Sequence, residues 1–244
     1  MKIDSHAHIF NANESYVLNA RYIPNYTISI EQYKEVLKRN SFSKAVLIQP
    51  SFLGDNNELL IKNLNNDIKG VIVCKQDDIK KYIKNKNICG LRFNLINEDK
   101  KIDFSKEFLN IVKDNNLHIE LHQNAKFLEQ NINSLANADV KIVIDHLARA
   151  SSISELEFLK KYKNCKIYFK ISGFYRNGDL EFNKKLYMKL KEIFSINNFV
   201  FGSDYPHTNY ENQCSFTKLY NEFLQIIDES EFVFYKNAKE LFLF

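Results

Sequence analysis

Ile3-Asp4-Ser5-His6-Ala7-His8-Ile9 stands at the head of the chain, and its reading decides the fold. It is a short apolar run that carries two histidines one residue apart. On a β-strand, residues two apart project from the same face, so the two imidazoles stand side by side. Such a pair grips a metal or orients a reacting group, because two imidazoles buried without partners would be costly. Seven more apolar, β-branched runs follow, at residues 45–49, 70–74, 89–93, 118–122, 141–146, 166–172 and 199–204. Most are nearly continuous in hydrophobicity, as parallel strands covered on both faces require. Between them lie stretches of helical period, such as Leu186, Leu190, Ile193 and Phe194, or Phe216, Leu219, Tyr220, Phe223 and Ile227. A last one runs through residues 237–242.

Eight strands alternating with helices over 244 residues give the size and rhythm of an α/β protein of the (β/α)8 TIM-barrel type. A single domain over residues 1–244 is expected, because no Pro/Gly/Ser-rich linker, repeat or low-complexity block interrupts the alternation. A doubly wound open sheet is the structural alternative. It often carries a Gly-rich turn after its first strand, whereas here that turn is His6-Ala7-His8. In a barrel the chemistry sits at the C-terminal ends of the strands. The residues at those ends are His6 and His8 on the first strand, Arg92 on the fourth, His122 on the fifth, His146 on the sixth and Asp204 on the eighth, with His207 just beyond. Of the six histidines, only His118 begins a strand.

Bulk properties narrow the function classes. Hydrophobic residues at 45% and charged residues at 26% are ordinary for a globular protein with a sizeable core. The net charge of +4 is spread along the chain without a basic stripe, so nucleic acid is not an expected partner. Cys74, Cys89, Cys165 and Cys214 show no C-x-x-C spacing and read as reduced thiols of an intracellular protein. Residues 1–10 lack an apolar signal core, and no run approaches the roughly 20 apolar residues needed to span a bilayer. A cytoplasmic location and no membrane partner are the expectation. Only five of the 34 basic residues are arginine, namely Arg21, Arg39, Arg92, Arg149 and Arg176. All but Arg39 fall at or after strand ends. Guanidiniums around a barrel mouth suit an anionic or polyhydroxylated small molecule held by bidentate hydrogen bonds. That inference is firmer for Arg92 and Arg176 than for Arg21 and Arg149.

The stretches 4–8, Gln49-Pro50-Ser51, Gly54-Asp55-Asn56, Gly90-Leu91-Arg92-Phe93-Asn94, Ile144-Asp145-His146, 170–176 and 202–207 together resemble the amidohydrolase superfamily, and extend over the whole chain. The amidohydrolase-related branch, with its metal-dependent decarboxylases and its lactonases of pyrone dicarboxylates and sugar lactones, is the nearest in pattern. The segments Ser172-Gly173-Phe174-Tyr175-Arg176 and Gln49-Pro50-Ser51 point to the lactonase group. The resemblance implies one divalent metal, Zn²⁺ by the nature of the donors, held by His6, His8, His122 and Asp204. It also implies a carbonyl-directed role for His146. Arg92 stands where two-metal members need a bridging Lys or Glu, and a guanidinium cannot bridge cations. Dicarboxylate lactonases of this group work without metal, so a metal-independent mechanism stays open, with His122 as the deciding residue.

Weighed one at a time, Asp204 is the safest site residue, since an unpaired carboxylate at the end of an apolar strand needs a cation or a catalytic task. For His122, capping a loop is as good an account as ligation. His146 admits a structural reading and His207 a supporting one. Ser51 is a candidate substrate contact, although serines are common in loops. The expected enzyme is a hydrolase that opens a carboxylated or sugar-derived lactone. Asp204 activates water, His6 and His8 stabilise the oxyanion, His146 assists, and Arg92, Arg176, Ser51 and Arg21 bind substrate. A decarboxylase of the same superfamily and a catalytically silent small-molecule-binding barrel are the alternatives, and a homo-oligomer is open.

Overall fold

In the computed structural model, which describes residues 1–227 and 230–244, eight parallel strands follow one another around a barrel. They are β1 (Ile3–Ala7), β2 (Lys44–Ile48), β3 (Ile68–Ile72), β4 (Ile88–Asn94), β5 (His118–His122), β6 (Lys141–Ile144), β7 (Ile167–Ile171) and β8 (Phe199–Phe201). Each pairs with its successor in parallel register. The ring closes just beyond β8, where Asp204 N donates to His6 O and His8 N donates to Tyr205 O, both at 2.8 Å. Closure is therefore made by the segments that carry the proposed chemistry. All eight expected strands form, and the (β/α)8 barrel is the fold. The first, sixth, seventh and eighth are shorter than the apolar runs suggest, and the third lies two residues earlier, at 68–72 in place of 70–74. After Ile144 the backbone leaves the ladder for a left-handed turn, and after Phe201 it bends across to β1.

Among the described residues there are seven α-helices: α1 (Ile30–Arg39), α2 (Glu58–Lys62), α3 (Lys106–Asp114), α4 (Ala125–Asn137), α5 (Leu180–Ile193) and α6 (Phe216–Ile226) around the barrel, and α7 (Asn237–Leu241) across its N-terminal end. The starts of four are written in the sequence as oxygen-bearing caps. Ser29, Ser105, Asp179 and Ser215 each accept from a backbone N–H three residues on, and Gln32 completes a capping box with Ser29. The apolar positions then recur every three or four residues and face the strands, as with Ile30, Tyr33 and Leu37 of α1. Two connections carry 3-10 turns in place of α-helix, over residues 76–81 and 153–162.

The outward faces of the strands and the helices form the larger core, which includes Leu47, Ile119, Ile144 and Phe169. A second cluster of Ile3, Val46, Val71, Val143 and Val200 fills the N-terminal half of the barrel, and Ala238, Leu241 and Phe242 seal it from below. That plug leaves only the C-terminal end of the barrel open.

Candidate active site

The open end holds a cavity of about 540 Å³ whose wall includes His8, His122, His146 and Asp204. Arg21, Arg92, Arg149 and Arg176 line it as well, together with Ser51. They arrive from the ends of six strands, β1, β2, β4, β5, β6 and β7, and from the segment after β8, so residues as far apart as His8 and Asp204 meet because the strands close on themselves.

The tightest group is His6, His8 and Asp204. His6 Nε2 lies 3.3 Å from His8 Nε2, and Asp204 Oδ1 lies 3.6 and 3.8 Å from the two nitrogens. His146 joins them, since His6, His146 and Asp204 present donor atoms within 4.8 Å of one another. The His146 Nδ1 pairs with Ser172 Oγ at 2.9 Å. His122 packs edge-on against His146, with ring centroids 5.1 Å apart, and neither of its ring nitrogens has a hydrogen-bond partner. His207 also has unpartnered nitrogens and packs against Tyr175 and Tyr205.

Local backbone shape is part of this arrangement. His146, Leu147, Ala148 and Arg149 all have positive φ, between 49° and 66°. Four successive non-glycine residues in the left-handed region cost roughly 1–2 kcal/mol each, and such strain gathers where function requires a particular aim. Here one turn delivers both His146 and Arg149 to the cavity. Gly173 has φ +58°, and a Cβ there would sit 2.7 Å from His146 Nδ1 and 3.1 Å from Asp204 Oδ2. Only glycine lets the chain pass behind both side chains.

Electrostatics assigns the protonation states. Burial alone would raise the Asp204 carboxyl, but Arg176 and the imidazoles hold it well below the usual carboxylate range. Its Oδ2 is held by Arg176 Nε and the Tyr175 hydroxyl, each at 2.6 Å, which leaves Oδ1 turned toward His6 and His8. Burial lowers His8 to about 4 and His146 to about 3, and pushes His6 and His122 well below their ordinary value. All four are neutral at pH 7.

His8 Nδ1 sits 2.7 Å from Ile48 O, so its proton is there and its Nε2 is a lone pair. His6 Nδ1 lies 3.2 Å from both the Asp145 Oδ1 and the Lys170 ammonium. With its proton on Nδ1, directed at Asp145, His6 Nε2 becomes a second lone pair beside an anionic oxygen. Three acceptors so placed fit one divalent cation, because ligand atoms around a tetrahedral zinc with bonds of about 2.0–2.1 Å lie roughly 3.3 Å apart. With the proton on Nε2 instead, Lys170 donates to Nδ1 and His6 donates into the site without any metal. The residues accommodate both states.

The arginines divide by how far they are already engaged. Arg92 Nη2 donates to Asp145 Oδ2 at 2.8 Å, and its Nε lies 3.3 Å from Glu120 Oε1, so most of its fork is committed inside the protein. Arg21 donates to Ile96 O and Asn94 Oδ1, both at 2.9 Å. Arg149 donates through Nη1 to Arg176 O, and its buried Nε has no partner. Tyr22, beside Arg21, donates to Glu211, as does Tyr26 at 2.6 Å. Arg21 and Tyr22 thus tie the loop after β1 to the loops after β4 and β8, on opposite sides of the ring.

Sequence reasoning left out the layer beneath the cavity. Glu120, Asp145 and Lys170 are wholly buried, with Arg92 beside them. Their signal was present as charged residues inside apolar strands, at the period of two that points inward: His118, Glu120 and His122 on β5, and Lys170 and Ser172 at the end of β7.

The amidohydrolase family model matches residues 3–244, and the chain belongs to this family. No relative among the curated proteins matches. Two solved structures are similar over the whole chain. A probable 2-pyrone-4,6-dicarboxylic acid hydrolase from Acinetobacter baumannii, with citric acid bound, is 28% identical over 100% of this chain and 99% of its own, with a TM-score of 0.92. One from Pseudomonas putida, bearing the same provisional name, is 26% identical over 99% and 97%, with a TM-score of 0.85. A Burkholderia multivorans amidohydrolase with bound Zn shares the fold at 14% identity, covering 100% of this chain and 99% of its own with a TM-score of 0.78. Among the described residues, no helix is long and apolar enough to cross a membrane.

Proposed function

We propose that the protein is a lactonase, which opens a carboxylated or sugar-derived cyclic ester by attack of water on the ring carbonyl. The observation that carries this reading is the shared lining of one cavity by an ionised aspartate, neutral histidines and four arginines. Asp204 Oδ1 is the proton acceptor for the attacking water, held in place by Arg176 and Tyr175 through Oδ2. Its low pKa makes it a weak base, so proton removal has to be coupled to polarisation of the carbonyl. His6, when its proton is on Nε2, donates to the developing oxyanion, whereas the His8 Nε2 lone pair would act there only through a bound cation; His146, fixed by Ser172, serves the carbonyl or the leaving ring oxygen. Arg149, with its unpartnered Nε, and the free edge of Arg92 take the substrate carboxylate. Arg21 and Ser51 bound the rest of the ring. The citric acid held by the Acinetobacter relative supports a polycarboxylate-sized anion here. A divalent cation, Zn²⁺ by donor type, would be held by His6, His8 and Asp204, with His122 as a further imidazole. When bound it would supply Lewis-acid polarisation of the carbonyl.

A panel of 2-pyrone-4,6-dicarboxylate and aldonolactones, followed by acid release in parallel with CO₂ detection, tests the reading. Acid release without CO₂ supports it, and CO₂ from an aromatic or vinylogous acid assigns the chain to decarboxylation. With an active substrate, Asp204→Asn is expected to lower kcat about 10³-fold. Wild-type kcat in that variant would sink the mechanism. Elemental analysis and activity after chelation decide the metal.

A further inference from the structure

Below the cavity, Lys170 carries its ammonium into a closed nest of acceptors. Its Nζ is hydrogen-bonded to Glu120 Oε2, lies 3.2 Å from His6 Nδ1, to which it donates when that nitrogen carries no proton, and lies 3.5 Å from Asp145 Oδ1. All four residues are wholly buried. Irrespective of the lysine, His6, Glu120 and Asp145 present donor atoms within 4.8 Å of one another. One imidazole and two carboxylates are a donor set for a divalent cation. Glu120 Oε1 and Asp145 Oδ1 are buried as well, met by Arg92 Nε at 3.3 Å and His6 Nδ1 at 3.2 Å. Arg92 balances this charge from one flank, 3.3 Å from Glu120 and 2.8 Å from Asp145, but it does not occupy the centre. Lys170 does.

We propose that the Lys170 ammonium is a resident cation that fills a latent second metal position formed by His6, Glu120 and Asp145. By occupying it, the chain limits itself to no more than one divalent ion, on the cavity side of His6. The physical case is one of charge. Two carboxylates cannot remain ionised in a dry interior without positive charge between them. An ammonium tethered to β7 provides it with no ion to lose. His6 stands between the two positions with one lone pair in its neutral ring: an ion at Nε2 leaves the proton on Nδ1 against Asp145, and an added ion at Nδ1 takes that proton's place, the ring bridging as imidazolate and the proton passing to solvent. The inference borrows from the lactonase reading only the location of the cavity, and its test counts ions, so it stands or falls apart from turnover.

The experiment is a Mn²⁺ titration of the metal-free full-length protein by calorimetry, with elemental analysis after desalting. Wild type is expected to bind at most one ion, and Lys170→Ala one more than wild type. Lys170→Met, which refills the space with an uncharged chain, is expected to keep the wild-type count. The double variant Lys170→Ala/Glu120→Gln, lacking one carboxylate, is expected to lose the added ion. If Lys170→Ala is unfolded without metal, recovery of its circular dichroism on refolding in millimolar Mn²⁺ supports the proposal. Failure to fold even then overturns it. A folded Lys170→Ala with the wild-type count, a second ion in wild type, or an added ion kept by the double variant would each overturn it as well.

Discussion

The floor and the mouth of the site are both crowded with charge, yet they are built in opposite ways. In the floor, Glu120 and Asp145 face Lys170 and Arg92, two anions against two cations, and burial is complete or nearly so. Each group there is held by another protein group, and of the four Arg92 alone also lines the cavity. In the mouth, Arg21, Arg149 and Arg176 gather around the cavity, and the carboxylates within reach are fewer. Arg176 is answered by Asp204, Arg21 by carbonyl oxygens, and Arg149 keeps a nitrogen with no partner. Charges that neutralise one another fix geometry, whereas charges left over select a ligand. The comparison separates residues that shape the site from residues that bind.

The largest effect that can break this division is acid. His8, His146 and His207 are lowered to about 4, about 3 and about 4 by burial, against an ordinary 6.5 in the unfolded chain. Between about 6.5 and 4 the unfolded state binds more protons, so stability falls as pH falls. Asp4, raised by burial to about 6, acts in the opposite sense over part of that range, but it is one group against three. Thermal melts from pH 7.5 to 4 should show a steep loss of Tm below about 6.5. A flat profile would mean that the histidines are not buried neutral.

Next in size is the floor itself. Asp145→Asn leaves Arg92 and Lys170 to share the single charge of Glu120 and should cost about 3 kcal/mol or more in urea unfolding, the scale of breaking a buried pair. A neutral outcome would place the floor in solvent contact. Arg149→Met tests the mouth. It should raise KM by about 10- to 100-fold with a smaller change in kcat and little change in Tm, because its loss removes a charged hydrogen bond to ligand. If Tm dropped and KM held, Arg149 would belong with the floor. The smallest effect expected is at Glu211, which anchors Tyr22 and Tyr26. Glu211→Gln keeps one acceptor and loosens the loop after β1, so KM should rise roughly threefold with kcat preserved. A fall in kcat alone would argue that the loop acts on chemistry.

Much of this was written in the order of the residues. Eight apolar runs at a regular spacing dictated eight strands, and strand ends carrying His6, His8, His146 and Asp204 dictated where to look, because a closed parallel barrel brings those ends to one rim. Tyr175 and Arg176 were flagged beside strand 7, yet their joint hold on a single oxygen of Asp204 is a distance that sequence does not contain. Glu120 and Lys170 were hidden for another reason. Within a strand, one charged residue among apolar ones looks like noise until its partners on neighbouring strands are known, and those lie 50 positions away in the case of this pair.

By itself, then, the sequence determined the barrel, its open end and the histidine–aspartate set, since periodicity and residue type act locally along the chain. Tertiary structure alone decided which charges cancel and which remain for a ligand. It also decided that His146 and Arg149 share one left-handed turn, and that His6 stands between a fixed ammonium and the cavity. Those outcomes depend on Coulomb interactions and close packing between distant segments, which have no value until the chain has folded.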